Sequence, residues 1–189
     1  MTKSSKIKDF ISENVSEYPR LEGTEYEGYH LLGHKKKGDL GELIVTNKMQ
    51  EFGCKVTPPK MYNDTWDKRI DGFETEIKLS VGATKDDKFM INHVKTKLSW
   101  ERFIFYGVNI DKPSRFVWCT KEDMEKCWEE TDLWKRQEGD DDKMLTGANV
   151  IKWINSPFCR DITTWKTPKK IINLEPVSYT HLRAHETIA

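Results

Sequence analysis

The run Phe103-Ile-Phe-Tyr-Gly-Val-Asn109 has no polar alternation. A strand with water on one face alternates apolar and polar residues, so an unbroken apolar run suits a strand covered on both faces. Arg115-Phe-Val-Trp-Cys119 repeats the pattern. The neighbouring segments predict helices to supply the cover. Asp39 to Phe52 reads as a helix, with Asp39 as its cap, Glu42 three positions later in capping-box spacing, and Gly53 as its stop. Leu40, Leu43, Ile44, Val45, Met49 and Phe52 occupy more than one stripe, which predicts a helix buried around much of its circumference. Lys121 to Glu130 is a second helix, opened by Thr120 with acids in its first turn, and Asn149 to Asn155 is a short third. Gly53 to Thr57, ended by Pro58-Pro59, is a short strand, and Asp67–Asp71 with Glu74–Val81 forms a hairpin. Phe89 to Trp100 reads as a helix of one to two turns. Helices and strands interleave, so the class is α/β.

At 189 residues the chain can bury one proper core. Seven Trp, eight Phe and six Tyr offer too much apolar area for a disordered chain. Formal net charge is zero, so any nucleic-acid binding has to rest on local patches. No apolar run reaches the length of a membrane span, and Met1–Lys8 lacks the apolar stretch of a signal peptide, which leads us to expect a cytoplasmic protein. Cys54, Cys119, Cys127 and Cys159 form no Cys-x-x-Cys pair and read as reduced core thiols.

The two ends stand apart. Ile7, Phe10, Ile11 and Val15 fit one amphipathic helix, so residues 1–29 read as a helical arm. Residues 177–189 resemble the in-frame translation of a sequencing adapter and are set aside, together with the helix-spaced His181 and His185. On that reading the natural C-terminus is missing. One domain is expected over residues 30–176.

The chemistry concentrates in Arg69-Ile-Asp-Gly-Phe-Glu-Thr-Glu-Ile-Lys-Leu-Ser80. Thr75, Ile77 and Leu79 alternate with Glu76, Lys78 and Ser80, so Glu76 and Lys78 point the same way from one strand, with backbones roughly 7 Å apart. Asp71 precedes the strand beside Gly72, where a tight reversal is expected to bring it alongside Glu76. Two carboxylates and an amine suit metal-assisted phosphodiester hydrolysis. The carboxylates take a hard cation through oxygen, and the cation lowers the pKa of a bound water. The lysine steadies that water or the developing charge. A plainer reading competes, because Asp-Gly is itself a hairpin signal and alternating Glu and Lys commonly make a solvated face.

Other motifs are weaker. Gly33 and Gly38 have phosphate-loop spacing, but Asp39-Leu40 stands where Lys-Ser/Thr is required. His30 and His34 have Gly33 between them and no helical Glu, which argues against a zinc helix. Lys35, Lys36 and Lys37 offer phosphate contacts just ahead of a helix, although such runs are commonly solvated surface. The acidic loop Gly139–Asp142 lacks EF-hand spacing and reads as solvated.

In this order, with Glu42 on the first helix, Asp71 at the hairpin and Glu76-x-Lys78 on the next strand, residues 38–120 resemble the PD-(D/E)xK nuclease superfamily. The pattern Gly38-Asp-Leu-Gly-Glu42 looks like its Mrr-like and resolvase-like branches. Phe89-x-x-Asn92-His93-x-Lys95, followed by Trp100-Glu101, looks like a segment of phage and restriction-type members. Ile70 stands where the name motif has proline. The resemblance implies a restriction endonuclease-like core, a central mixed β-sheet flanked by helices in αβββαβ order. It further implies a magnesium-dependent deoxyribonuclease, with manganese as a substitute ion, in a prokaryotic or phage-infected cell. Asp71 and Glu76 would be metal ligands, Lys78 would stand near the attacking water, and Glu42 would be an accessory carboxylate. Asn92, His93 and Lys95 would contact phosphate or support the site. Lys35 to Lys37, Lys85, Lys88, Lys95 and Lys97 would meet the DNA backbone. Restriction-type relatives are often homodimers. Two other readings stand beside this one: a non-catalytic DNA-binding or assembly protein that keeps the fold, and an unrelated α/β protein whose alternation is mere strand surface.

Overall fold

The computed structural model describes residues 21–61, 65–82, 88–139 and 141–166. The expected arm helix (Ile7 to Val15), Lys85 and the adapter-like tail lie outside these residues. The elements are α1 (His34–Glu51), β1 (Val56–Thr57), β2 (Lys68–Ile70), β3 (Phe73–Gly82), β4 (Met90–Lys95), β5 (Arg102–Asn109), β6 (Arg115–Thr120), α2 (Lys121–Glu130), β7 (Lys135–Arg136), β8 (Asp142–Thr146), α3 (Ala148–Ile154) and β9 (Arg160–Asp161). The protein is mixed α/β.

Six strands form a mixed sheet in the order β1-β2-β3-β5-β6-β9, and β4-β8-β7 form a second, smaller sheet. Within the large sheet β3 and β5 are parallel and the other pairs are antiparallel. The apolar run predicted to be covered on both faces is β5, whose residues Phe103 to Val108 are all buried. Ile104, Tyr106 and Val108 pack with Ile77 and with Val45 and Met49 of α1. Phe103 and Phe105 face the other way, into Met124 and Cys127 of α2, Val150 and Trp153 of α3, and Ile91, Val94 and Leu145 of the small sheet. Trp153 stands at the centre of that layer, with ring centroids 5.9 Å from Phe103 and 5.7 Å from Trp134. The tryptophans between Trp134 and Trp165 therefore complete the core. All four cysteines are free thiols, three of them buried.

Helix α1 differs from its prediction. It begins at His34, behind an extended Gly33 that offers no side-chain cap, so Lys35 to Lys37 lie in its first turn. Asp39 bonds Lys36 at 3.1 Å and caps nothing. A single stripe, Gly41, Val45 and Met49, is buried, whereas Leu43 and Phe52 are exposed. The approach is close at Gly41, where an added Cβ would stand 2.8 Å from the Cβ of Leu79. Helix α2 forms as expected, with Thr120 and Asp123 making a capping box.

The segment expected as a helix over Phe89–Trp100 is the strand β4. The buried residues Phe89, just before the strand, and Ile91 and Val94 within it break strict alternation once, and that gap of three reads like a helical step in sequence. In space the gap is a bulge: Ile91 pairs with Leu145 and Val94 with Lys143, so two β4 residues face one on β8. His93 takes φ 54° there. The crossover between parallel β3 and β5 thus passes through the small sheet. Among the described residues, no helix is long and apolar enough to cross a membrane.

Candidate active site

The Asp71-Gly72 turn sets the register of the β2–β3 hairpin. Both residues have positive φ, 50° and 93°, as a tight two-residue turn requires. Ile70 then pairs with Phe73, Arg69 with Glu74 and Lys68 with Thr75. Just beyond that pair, Asp67 also donates its backbone N–H to the Thr75 carbonyl, and its side chain reaches the Ile77 N–H beside Glu76. The carboxylate that feels the Glu76 charge is therefore Asp67, not Asp71. A residue inside the turn is several positions along the strand from Glu76 and cannot fold back onto it.

Asp71 has different surroundings. Its Oδ1 accepts from the Lys55 N–H at 2.8 Å and its Oδ2 from Trp165 Nε1 at 3.2 Å. Burial works to raise its pKa. The Lys55 N–H, the Cys54 thiol, Trp165 and the Lys166 charge together outweigh burial and hold it below the usual carboxylate range. It pins Lys55, just before β1, and Trp165 to the hairpin turn, and its expected role as a metal ligand is withdrawn.

Asp67, Glu76 and Lys78 share one side of the hairpin. Glu76 is 7% exposed, and its Oε1 lies 2.6 Å from Lys78 Nζ. Asp67 Oδ2 accepts from the Ile77 N–H at 2.7 Å. Burial, and then the Glu76 charge, push the Asp67 carboxyl up to about 7, against the opposing pull of the Ile77 N–H and Lys78. Burial disfavours the Lys78 ammonium, but Glu76, Asp67 and Asp142 outweigh it and raise its pKa. The group is a pair of crowded carboxylates served by one ammonium. Two neighbouring carboxylates, one of them pushed up by burial and then by the other's charge, are a donor set that a divalent cation could satisfy.

Glu42 comes to the same region from α1. It bonds Lys68 Nζ at 2.6 Å rather than the helix-start amides, and its charge contributes to the rise of Asp67. Asp67, Lys78 and Glu42 line a cleft of about 720 Å³, together with Tyr29, His34, Lys37, Asn92, His93 and Gln137.

Of the expected phosphate contacts, the structure brings Lys37, Asn92 and His93 to this cleft. Lys37 stands 5.2 Å over the Tyr29 ring. Lys35 and Lys88 are exposed, and Lys36 pairs with Asp39. Lys95 and Lys97 do not line the cleft, and Lys97 pairs with Asp141 at 3.2 Å. The acidic loop is not uniformly solvated, because Asp142 is buried and bonded to His93.

Sequence reasoning missed Asp67, Asp142 and Gln137. The signal for Asp67 was present: once Asp71-Gly72 is a two-residue turn, counting outward from it pairs Lys68 with Thr75, which leaves Asp67 and Glu76 as the next residues along each strand. No family model, curated protein or solved structure matches the chain.

Proposed function

We propose that the protein is a metal-dependent deoxyribonuclease of the PD-(D/E)xK kind, with Asp67, Glu76 and Lys78 as its catalytic group. The observation that carries this reading is the grouping of Asp67, bonded to the Ile77 N–H and feeling the Glu76 charge, with Glu76 and with Lys78, which lies 2.6 Å from Glu76 at a cleft. An acid, then Glu-x-Lys on the next strand, is the order that the superfamily motif requires. Helix α1, the hairpin and the parallel β3–β5 pair support a restriction endonuclease-like core. The crossover through β4 departs from it by replacing a helix with a strand.

Asp67 and Glu76 would hold a magnesium or manganese ion, which when bound supplies Lewis acidity and a water of lowered pKa. Lys78 stays protonated beside Glu76 and faces the cleft, where it can orient the attacking water and offset charge gathering on the phosphate. Glu42, tied to Lys68, keeps an accessory negative charge at the edge of the group. Lys37, His34 and Asn92 line the same cleft and can meet phosphate oxygens.

The test is cleavage of supercoiled plasmid and of a branched DNA by the full chain, with magnesium, with manganese and with EDTA. Metal-dependent cutting is expected, lost in Lys78→Ala and Asp67→Asn and kept in Asp71→Asn. Salt-sensitive DNA binding without cutting would favour a non-catalytic DNA-binding protein. A folded protein that neither cuts nor binds would sink both.

A further inference from the structure

A second group of ligating side chains gathers around His93, which lines the cleft. His93 sits in the β4 bulge, Glu138 between β7 and β8, and Asp142 at the start of β8. One ligand atom from each lies within 4.8 Å of the other two. The bulge creates this cluster. By inserting an extra residue opposite β8 it turns the imidazole toward Asp142, so that His93 Nδ1 meets Asp142 Oδ2 at 2.9 Å. Gln137 holds His93 from the far side: its Oε1 accepts the His93 backbone N–H at 3.0 Å, and its Nε2 lies 3.2 Å from the imidazole Nε2.

Asp142 supplies an independent observation. It is 6% exposed, and its second oxygen, Oδ1, is buried without a hydrogen-bond partner. A buried carboxylate oxygen with nothing to accept from is destabilising, and native proteins leave few of them. A cation beside His93 would satisfy it.

We propose that His93, Glu138 and Asp142 form a site for a divalent transition-metal ion, separate from the Asp67–Glu76 pair. One imidazole nitrogen with two carboxylates is a softer set than oxygen alone, so it favours Mn²⁺, Co²⁺ or Zn²⁺ over Mg²⁺ or Ca²⁺. His93 and Gln137 line the cleft that Asp67 and Lys78 also line, so an ion held here faces whatever enters it. The site stands whether or not the protein cuts DNA.

Co²⁺ alone is the probe, applied to the full chain carrying Asp67→Asn and Glu76→Gln so that the other acidic pair is silent. Equilibrium dialysis should give one Co²⁺ per chain, with a visible d–d spectrum and no displacement by excess Mg²⁺. His93→Ala or Asp142→Asn, each of which removes a ligand, should weaken binding at least about tenfold. Absence of Co²⁺ binding by the folded protein, or affinity unchanged by His93→Ala, overturns the proposal. Should the double variant fail to fold, NMR of the unsubstituted chain decides. Sub-stoichiometric Co²⁺ must shift or broaden the His93 imidazole resonances, assigned against His93→Ala, and unmoved resonances overturn the site. Neither readout involves DNA cleavage.

Discussion

Trp165 donates its indole N–H to Asp71 Oδ2 at 3.2 Å, across 94 positions of sequence. The same carboxylate takes the Lys55 N–H, so one side chain ties together the hairpin turn, the segment leading into β1 and the last described turn. Close by, Trp165 packs with Arg102, whose guanidinium also covers Phe73 and Trp118. The acid that looks most catalytic in sequence is thus part of a structural clasp.

Asp71→Ala should therefore cost stability and leave cleavage intact. Two hydrogen bonds to a charged acceptor are lost at a site open to solvent, so the expected loss is about 1–3 kcal/mol. Chemical denaturation measures it, and plasmid cleavage by the folded variant should match that of the parent. Because the Asp71 pKa is depressed on folding, its contribution is present above the ordinary aspartate value and is lost as the pH falls through its folded pKa. A large loss of cleavage in a well-folded Asp71→Ala protein would return this residue to the active site.

The pH dependence of Asp67 has the opposite sign. Its folded pKa is raised to about 7, so between about 4 and 7 the folded state holds a proton that the unfolded chain has released. Metal-free protein should lose stability as pH climbs through that window. Asp67→Asn, which carries no charge, should flatten the loss. Thermal melts in EDTA across the window test it, and an Asn variant with the parent's pH slope would refute the assignment.

Gly41→Ala should destabilise although alanine is the better helix former. The propensity gain is about 1 kcal/mol. Against it, the new methyl stands 2.8 Å from Leu79 Cβ, an atom fixed to strand β3 that cannot rotate away. Overpacking of this kind costs about 1–3 kcal/mol, so a net loss near 1 kcal/mol is expected in denaturation. Leu79 follows Lys78 directly, so the displaced strand should also slow cleavage.

Thr120→Ala removes one half of the α2 capping box, in which Thr120 and Asp123 satisfy each other's backbone N–H groups. Loss of such a cap costs about 1 kcal/mol. Asp123 also holds Arg160 of β9, at 2.5 Å, so Asp123→Ala should cost more than Thr120→Ala. Equal losses in denaturant would show that the Arg160 pair adds nothing.

What the sequence determined by itself is whatever is encoded by neighbours in the chain. The apolar runs of β5 and β6 read as strands because strand periodicity is local, and β5 is buried on both faces for the same reason. The Thr120 start of α2, the short α3 and the Asp-Gly turn were legible from caps and turn chemistry. Glu76 and Lys78 share a face because residues two apart on a strand must. Tertiary structure alone decided the rest. Whether β4 is strand or helix depended on a partner, β8, about fifty residues away, whose pairing absorbs the bulge that mimics a helical step. Whether Asp67 or Asp71 joins Glu76 depended on hairpin register, a relation across two strands. The placing of His93 against Asp142 depended on the same β4–β8 pairing, and a carboxylate in a polar loop looks solvated until the fold closes over it.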